Sequence, residues 1–104
     1  QLGPNPNISP PESFSFEVLR LETETGRVYI VNGGINNSQK LINNITIFHN
    51  SEKVCEKKKI NEYILIEEIK NFEFTNCKLI NNDPYSIIII YDNNKTMTDV
   101  NIAR

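Results

Sequence analysis

Short runs of β-branched and aromatic residues, separated by turn sequences, recur along most of this chain. The strongest run, residues 85–92 (YSIIIIYD), directly follows the turn sequence NNDP at residues 81–84. Its length and composition predict a central strand, and its apolar side chains at odd and even positions indicate burial on both faces. Such runs recur at roughly 8–14-residue spacing, which is typical of sandwiches and barrels. We predict an all-β fold, a single antiparallel β-sandwich of about seven strands.

Six further runs complete the predicted sandwich: residues 13–22, 27–32, 41–49, 60–69, 71–77 and 96–102. In the first run the alternation of apolar residues changes phase after Val18, which indicates a β-bulge or a strand that changes sheet. Residues 60–69 suit either a strand or a short helix, because their apolar and acidic residues fit both periods. In the last run, Val100 and Ile102 share one face, since side chains alternate along a strand.

One folded domain is predicted for most of the chain. The protein has 104 residues, of which 38% are hydrophobic, and this fits a single small domain with a modest core. Residues 1–13 hold four of the five prolines and few apolar side chains. They predict an extended Pro-rich tail, because such a segment buries too little surface to fold alone. Residues 14–104 form the predicted β-sandwich domain.

Charge and hydropathy argue against two classes of partner. The formal net charge is −2 and the pI is about 5.4, whereas nucleic-acid-binding domains usually carry a strongly basic face. The longest apolar run, residues 87–91, has the length of a strand, and a bilayer-spanning helix needs about 20 apolar residues. We therefore predict no nucleic-acid partner and no membrane span.

The two cysteines, Cys55 and Cys77, predict a disulfide bond. They lie 22 residues apart, and closing a loop of this size stabilises a domain by roughly 3–4 kcal/mol. Two free buried thiols are the alternative. A structural zinc site needs four ligands, and the single His49 brings the total only to three. We predict no metal and no cofactor.

Matches to the glycosylation sequence Asn-x-Ser/Thr point to an oxidising, extracellular environment. They begin at Asn7, Asn36, Asn44 and Asn94. A proline follows the first match directly and makes it a poor acceptor. The predicted glycosylation sites are therefore Asn36, Asn44 and Asn94. Together with the predicted disulfide, they indicate a secreted or extracellular protein.

The densest charge cluster lies in residues 50–59, which we predict to be a polar loop that contains Cys55. Glu52 and Glu56 half neutralise this cluster, so a merely solvated loop is the alternative. Without interleaved aromatic side chains the cluster is a poor site for single-stranded nucleic acid. An acidic protein patch or a glycan is the ligand that it would suit. The predicted binding residues are Lys53, Lys57, Lys58 and Lys59.

His49 is the single histidine and the obvious candidate for acid–base catalysis near neutral pH. A small hydrolase or ribonuclease built on His49 would also need a second acid or base and a cationic group for the reacting phosphate or carbonyl. The sequence contains Arg20, Arg27 and Arg104, but no motif joins any of them to His49. We predict no catalytic residues.

These patterns together predict a non-catalytic secreted or cell-surface recognition module that binds a protein, with a glycan as the other ligand class. Fold alone does not determine function, so three alternatives stay open. The first is a secreted effector of a pathogen or parasite that modulates immunity. The second is a small secreted hydrolase or ribonuclease centred on His49. The third is a structural component that self-associates through exposed strand edges.

Overall fold

The computed structural model describes residues 16–33 and 39–104. The predicted tail, residues 1–13, and the sequon at Asn36 lie outside these ranges. Within them the chain forms eight strands and no helix. In chain order the strands are β1 (Phe16–Leu21), β2 (Arg27–Asn32), β3 (Lys40–His49), β4 (Glu52–Lys57), β5 (Glu62–Ile64), β6 (Ile69–Glu73), β7 (Pro84–Tyr91) and β8 (Lys95–Ile102).

The strands form two antiparallel sheets that share one core. The smaller sheet has the order β1-β2-β6, and the larger has the order β4-β3-β7-β8, with β5 paired to the beginning of β3. Buried side chains from both sheets pack in a single apolar cluster. This arrangement confirms the predicted antiparallel β-sandwich, with one strand more than the sequence indicated.

The additional strand is β4, which lies in the segment predicted to be a polar loop, residues 50–59. Asn50 and Ser51 both have positive φ, 52° and 71°, as a two-residue type I′ turn requires. The turn folds β4 back against β3, so that His49 pairs with Glu52. The predicted loop is therefore wrong for residues 52–57, because the chain reverses within two residues of the end of β3.

The segment of residues 60–69 holds a short strand and a turn. The strand, β5, has three residues, and Ile64 at its end is fully buried. A turn follows at residues 66–67, and β6 begins at Ile69. Of the two alternatives for this segment, the strand is present and the helix is not.

The strand β7 lies in the middle of the larger sheet, between β3 and β8, as its run of isoleucines predicts. Ile87 and Ile89 face the core and are fully buried. Ile88 and Ile90 lie on the other face and are only half-buried. The central position is thus confirmed, whereas burial on both faces is only partial. In β1, a register shift between Val18 and Arg20 confirms the predicted bulge.

Buried apolar side chains of β1, β2, β3, β5, β6 and β7 fill the space between the sheets. Burying one such side chain is worth roughly 1.5–3 kcal/mol, so this cluster is the main source of stability. The fully buried members of the core are Leu21, Val28, Ile30, Ile42, Ile45, Ile47, Ile64, Ile87, Ile89 and Ala103.

The predicted disulfide between Cys55 and Cys77 is confirmed, with a Cα–Cα distance of 5.5 Å. It joins β4, at the edge of the larger sheet, to the segment that follows β6 of the smaller sheet. On the same side of the sandwich, Lys70 of β6 forms an ion pair with Glu62 of β5, with an N–O distance of 3.4 Å. This side is therefore closed by covalent and ionic contacts between the sheets.

Candidate functional site

Apolar side chains line the outer face of β7 and β8 and continue onto the neighbouring strand β1. Val100 keeps 60% of its surface exposed, Leu19 44% and Ile102 39%. Val100 lies opposite Ser86, and Ile102 lies opposite Pro84, so these side chains are on one face of the sheet. Ser86 also lies opposite Phe48 of β3. We define the apolar stripe as Leu19, Phe48, Pro84, Val100 and Ile102.

Hydrogen bonds between β8 side chains and the β1 backbone join the two strands at the end of the stripe that contains Leu19 and Ile102. The backbone N–H of Val18 donates to Oδ2 of Asp99 at 2.8 Å. The side-chain Nδ2 of Asn101 donates to the carbonyl of Val18, also at 2.8 Å. A parallel bridge then joins Leu21 to Ala103. We call this junction the β1–β8 seam.

The seam explains why β8 carries its apolar residues outward. Side chains alternate along a strand, so Asp99 and Asn101 facing β1 place Val100 and Ile102 on the opposite face. The polar pair is needed at the seam because β1 is an edge strand of the smaller sheet, and its backbone groups lack a neighbouring strand there. The sequence predicts correctly that Val100 and Ile102 share a face; the structure shows that this face is the outer one.

One end of the stripe lies over a shallow cavity of about 300 Å³ at the β1–β8 seam. Two aliphatic side chains and two guanidinium groups surround it, together with an amide that is already bonded to Val18. No acidic side chain lines it. Its lining residues are Leu19, Arg20, Asn101, Ile102 and Arg104. We call it the seam cavity.

A second, polar cavity of about 370 Å³ adjoins the seam cavity, and both are lined by Arg20 and Arg104. Glu22 is held in it by the Thr25 hydroxyl at 2.7 Å and by Nε of Arg20 at 3.3 Å. The Thr25 hydrogen bond is the main reason that the pKa of Glu22 lies below its ordinary value of 4.5, and the positive charge of Arg20 lowers it further. Glu24 also lines this cavity. Of these two cavities, the glutamates line the polar one, whereas the two arginines line both.

The other end of the stripe borders a third shallow cavity of about 270 Å³. It lies beside the hairpin turn between β3 and β4 and has small hydroxyl groups next to an aromatic floor. Its lining residues are Phe48, Asn50, Ser51, Pro84, Tyr85, Ser86 and Val100. The apolar stripe thus runs between two concave regions of the surface.

The structure divides the predicted lysine cluster. Lys53 donates to Glu56 at 3.1 Å, and Lys58 approaches the same carboxylate at 3.9 Å. Lys57 pairs with Ile45 of β3 and is half-buried, and Lys59 lies beyond the end of β4. Two of the four lysines are therefore neutralised within the molecule, and the four do not form one uninterrupted basic patch.

His49 lies at the end of β3, where its Nε2 is 3.1 Å from Oδ2 of Asp83. Its ring also lies against that of Tyr85, with centroids 4.7 Å apart. A carboxylate that orients a histidine is one part of an acid–base site. The cavity beside the neighbouring Phe48 and Asn50 is lined by neither lysine nor arginine, and His49 itself is not among its lining residues.

Two of the predicted glycosylation sites can be placed. Asn94 is exposed in the turn between β7 and β8. Asn44 lies within β3 and is half-buried, and its Oδ1 accepts a hydrogen bond from the backbone N–H of Lys59 at 3.3 Å. The hydroxyl of Thr46, the third residue of that sequon, is bonded to Glu56. Asn94 is the more accessible acceptor of the two.

The residues that the structure describes contain neither a metal-binding cluster nor a membrane-spanning helix. No group of three histidine, cysteine or carboxylate side chains in residues 16–33 and 39–104 is arranged to hold a metal ion. Nor does this part of the chain contain a helix long and apolar enough to cross a membrane.

Comparisons with known proteins do not assign the chain to a family. No protein-family model matches it, and no curated protein is significantly similar to it. The fold defines the class, a small disulfide-bonded antiparallel β-sandwich. Function must then be argued from the surface itself, because one fold serves many functions.

The sequence did not identify the arginines of the seam cavity as partners. Arg20 and Arg104 lie near opposite ends of the described chain, and the β1–β8 seam with its bridge between Leu21 and Ala103 brings them together. Pairing between residues so far apart in the chain produces no pattern in the sequence around either of them. The sequence of β8 does contain a local pattern. Its polar and apolar residues alternate, so Asp99 and Asn101 lie on one face and Val100 and Ile102 on the other.

Proposed function

We propose that this protein is a non-catalytic recognition module that binds a protein partner through the apolar stripe. The observation that carries the proposal is the joint exposure of Leu19, Val100 and Ile102 along the β1–β8 seam. Single exposed apolar residues are normal on protein surfaces, whereas contiguous ones mark interaction sites. The concave regions at both ends of the stripe would accept the anchoring side chains that supply most binding energy at protein interfaces.

An extracellular location is part of the same proposal. It is supported by the Cys55–Cys77 disulfide, since such bonds persist mainly in oxidising compartments, and by the exposed sequon at Asn94. The turn with Asn94 and the stripe lie at opposite ends of the β7–β8 hairpin, roughly 25 Å apart for eight residues of strand. A glycan on Asn94 would therefore leave the stripe uncovered.

The proposal is tested by selecting partners from a display library of natural extracellular domains. Immobilised wild-type protein is compared with Val100→Asp, in which a charge interrupts the stripe. The matched control is Leu65→Asp, because Leu65 is 54% exposed but follows β5, away from the stripe. We expect at least one selected domain to bind the wild type and the control equally and Val100→Asp about tenfold more weakly.

Selected domains that bind Val100→Asp and Ile102→Asp as well as the wild type would place recognition elsewhere and contradict the proposal.

The same assay tests the lysine cluster. If Lys57, Lys58 and Lys59 contribute, their joint replacement by glutamate slows association at low salt and leaves the fold intact, because peripheral charges act mainly on the association rate.

The His49–Asp83 pair supports a second candidate function, a small hydrolase or ribonuclease. The 3.1 Å contact between His49 and Asp83 is the specific observation in its favour. We expect no hydrolysis of RNA, phosphodiester or ester substrates above the rate without protein. An activity that is present in the wild type and lost in a folded His49→Ala variant would establish the enzyme and overturn the non-catalytic proposal.

A further inference from the structure

We infer that the seam cavity binds an extended acidic segment of the protein partner, with an aliphatic side chain seated between Leu19 and Ile102 and a neighbouring carboxylate held by Arg20 and Arg104. This inference rests on the proposed function and adds the chemistry of the ligand. It is carried by the composition of the cavity, which combines two aliphatic side chains with two guanidinium groups and has no acidic side chain.

The aliphatic part of the cavity is open to a ligand. Leu19 and Ile102 keep 44% and 39% of their surface exposed although they line the same concave region. An aliphatic side chain placed between them would remove apolar surface from water on both, which is favourable in proportion to the area buried. A sulfated glycan offers no such side chain, so the cavity favours a peptide.

The cationic part retains donors for a carboxylate. Arg20 contacts Glu22 through Nε at 3.3 Å, and a guanidinium carries four further N–H donors on its Nη atoms. Arg104 forms no ion pair within the described residues. Arginine binds carboxylates through two parallel hydrogen bonds, which makes it the cation best suited to fix the position of a carboxylate.

The carboxylate nearest to the cavity on β8 is not a competitor for these arginines. Asp99 accepts hydrogen bonds from the backbone N–H groups of Val18 at 2.8 Å and Val100 at 2.9 Å, one on each oxygen. The bond from Val18 also occupies the edge of β1, so a partner strand cannot add to the sheet at this point. The ligand therefore approaches the outer face and contacts side chains.

The test uses NMR titration of the wild-type protein with three capped synthetic peptides: Leu-Glu-Leu-Glu-Leu, its neutral analogue Leu-Gln-Leu-Gln-Leu, and Gly-Glu-Gly-Glu-Gly. We expect the first peptide to shift the methyl signals of Leu19 and Ile102 and the Nε–H signal of Arg104. The neutral analogue should bind the same methyl groups about fivefold more weakly, the loss typical of an exposed charge pair. The glycine peptide should not shift the methyl signals.

Variants identify the groups responsible. Arg104→Gln should remove the preference for glutamate over glutamine, whereas Lys95→Gln, a matched loss of charge at the far end of β8, should retain it. Ile102→Ser should weaken both leucine peptides, and Ile69→Ser, on the exposed face of β6, should weaken neither. Ile69 is 58% exposed, so its replacement leaves the core intact.

Three results would overturn the inference. Equal affinity of the acidic and neutral peptides for the same methyl groups would leave the stripe as the binding surface but remove the role of the arginines. Absence of methyl shifts with either leucine peptide would reject the seam cavity as a peptide site. Whether the apolar stripe binds a protein partner would then be decided by the display experiment. Tighter binding of a heparin hexasaccharide, without methyl shifts, would assign the arginines to a sulfated glycan instead.

Discussion

Glu56 belongs to the charge cluster of residues 50–59, and its carboxylate bonds to neighbouring side chains within the folded protein. Its carboxylate accepts hydrogen bonds from Lys53 at 3.1 Å and from the Thr46 hydroxyl at 3.3 Å. The Lys53 hydrogen bond is the main reason that the pKa of Glu56 lies below its ordinary value of 4.5, and the positive charges of Lys53 and Lys58 lower it further. The Thr46 hydroxyl therefore links Glu56 of β4 to β3, while Lys53 and Lys58 neutralise its carboxylate.

We predict that Lys53→Met raises the pKa of Glu56 toward its ordinary value of 4.5, while Lys58→Met raises it less. A carboxyl whose pKa is lowered by folding stabilises the protein above its unfolded pKa, and this contribution is lost as the pH falls through the folded pKa. The stability difference between wild type and Lys53→Met should therefore be present at neutral pH and decline below pH 4.5. NMR titration of the Glu56 carboxyl measures the shift; an equal pKa in wild type and Lys53→Met would show that the contact is absent in solution.

At the scale of secondary-structure elements, the hairpin between β3 and β4 carries a residue in an unfavourable conformation. Ser51 has a φ of 71°, in the left-handed region that glycine adopts without steric cost and that type I′ turns require. We predict that Ser51→Gly stabilises the protein by about 0.5–1 kcal/mol. Chemical denaturation measures this change. The matched control is Ser86→Gly within β7, which should destabilise by about 1 kcal/mol because glycine weakens a strand; a destabilised Ser51→Gly would contradict the turn assignment.

The central strand β7 gives a second prediction at this scale. Ile89 is fully buried, so Ile89→Asp places a charge in the core and should abolish folding, a loss of more than about 4 kcal/mol. Ile88 is half-buried on the outer face, where its carboxylate replacement can reach water, so Ile88→Asp should cost only about 1–2 kcal/mol. Circular dichroism and denaturation of both variants measure the difference. Equal losses would show that the outer face is covered in solution.

The elements that the sequence predicts well are those with a local signal. β7 and the turn before it combine strong strand residues with NNDP, and the bulge in β1 follows from the phase change after Val18. β4 was missed because it is an edge strand of mostly polar residues (EKVCEK), and edge strands lack the apolar alternation that marks half-buried ones. The seam cavity was missed for another reason: Arg20 and Arg104 meet only through pairing across the whole chain, which depends on the tertiary fold.

At the scale of the whole molecule, the two sides of the sandwich are closed by different means. One side has the Cys55–Cys77 disulfide and the ion pair between Lys70 and Glu62. The other has the side chains of Asp99 and Asn101 bonded to the backbone of Val18. Exposed strand edges promote association between molecules. The contacts to Val18 occupy backbone groups at the edge of β1 and therefore oppose, at this edge, the strand-edge self-association that the sequence left open as an alternative.

We predict that replacing Asp99 and Asn101 together by alanine both destabilises the protein and promotes its self-association. The double variant removes the acceptor of the Val18 N–H and the donor to the Val18 carbonyl, and each partly buried backbone group left unsatisfied costs about 1–3 kcal/mol. It also exposes the edge of β1 to a second molecule. Thr98→Ala is the matched control, because Thr98 lies on the same strand but on its exposed outer face. Denaturation measures the first effect, and light scattering across a hundredfold range of concentration measures the second. A double variant as stable and as monomeric as Thr98→Ala would show that the β1–β8 seam contributes neither to stability nor to the protection of the edge.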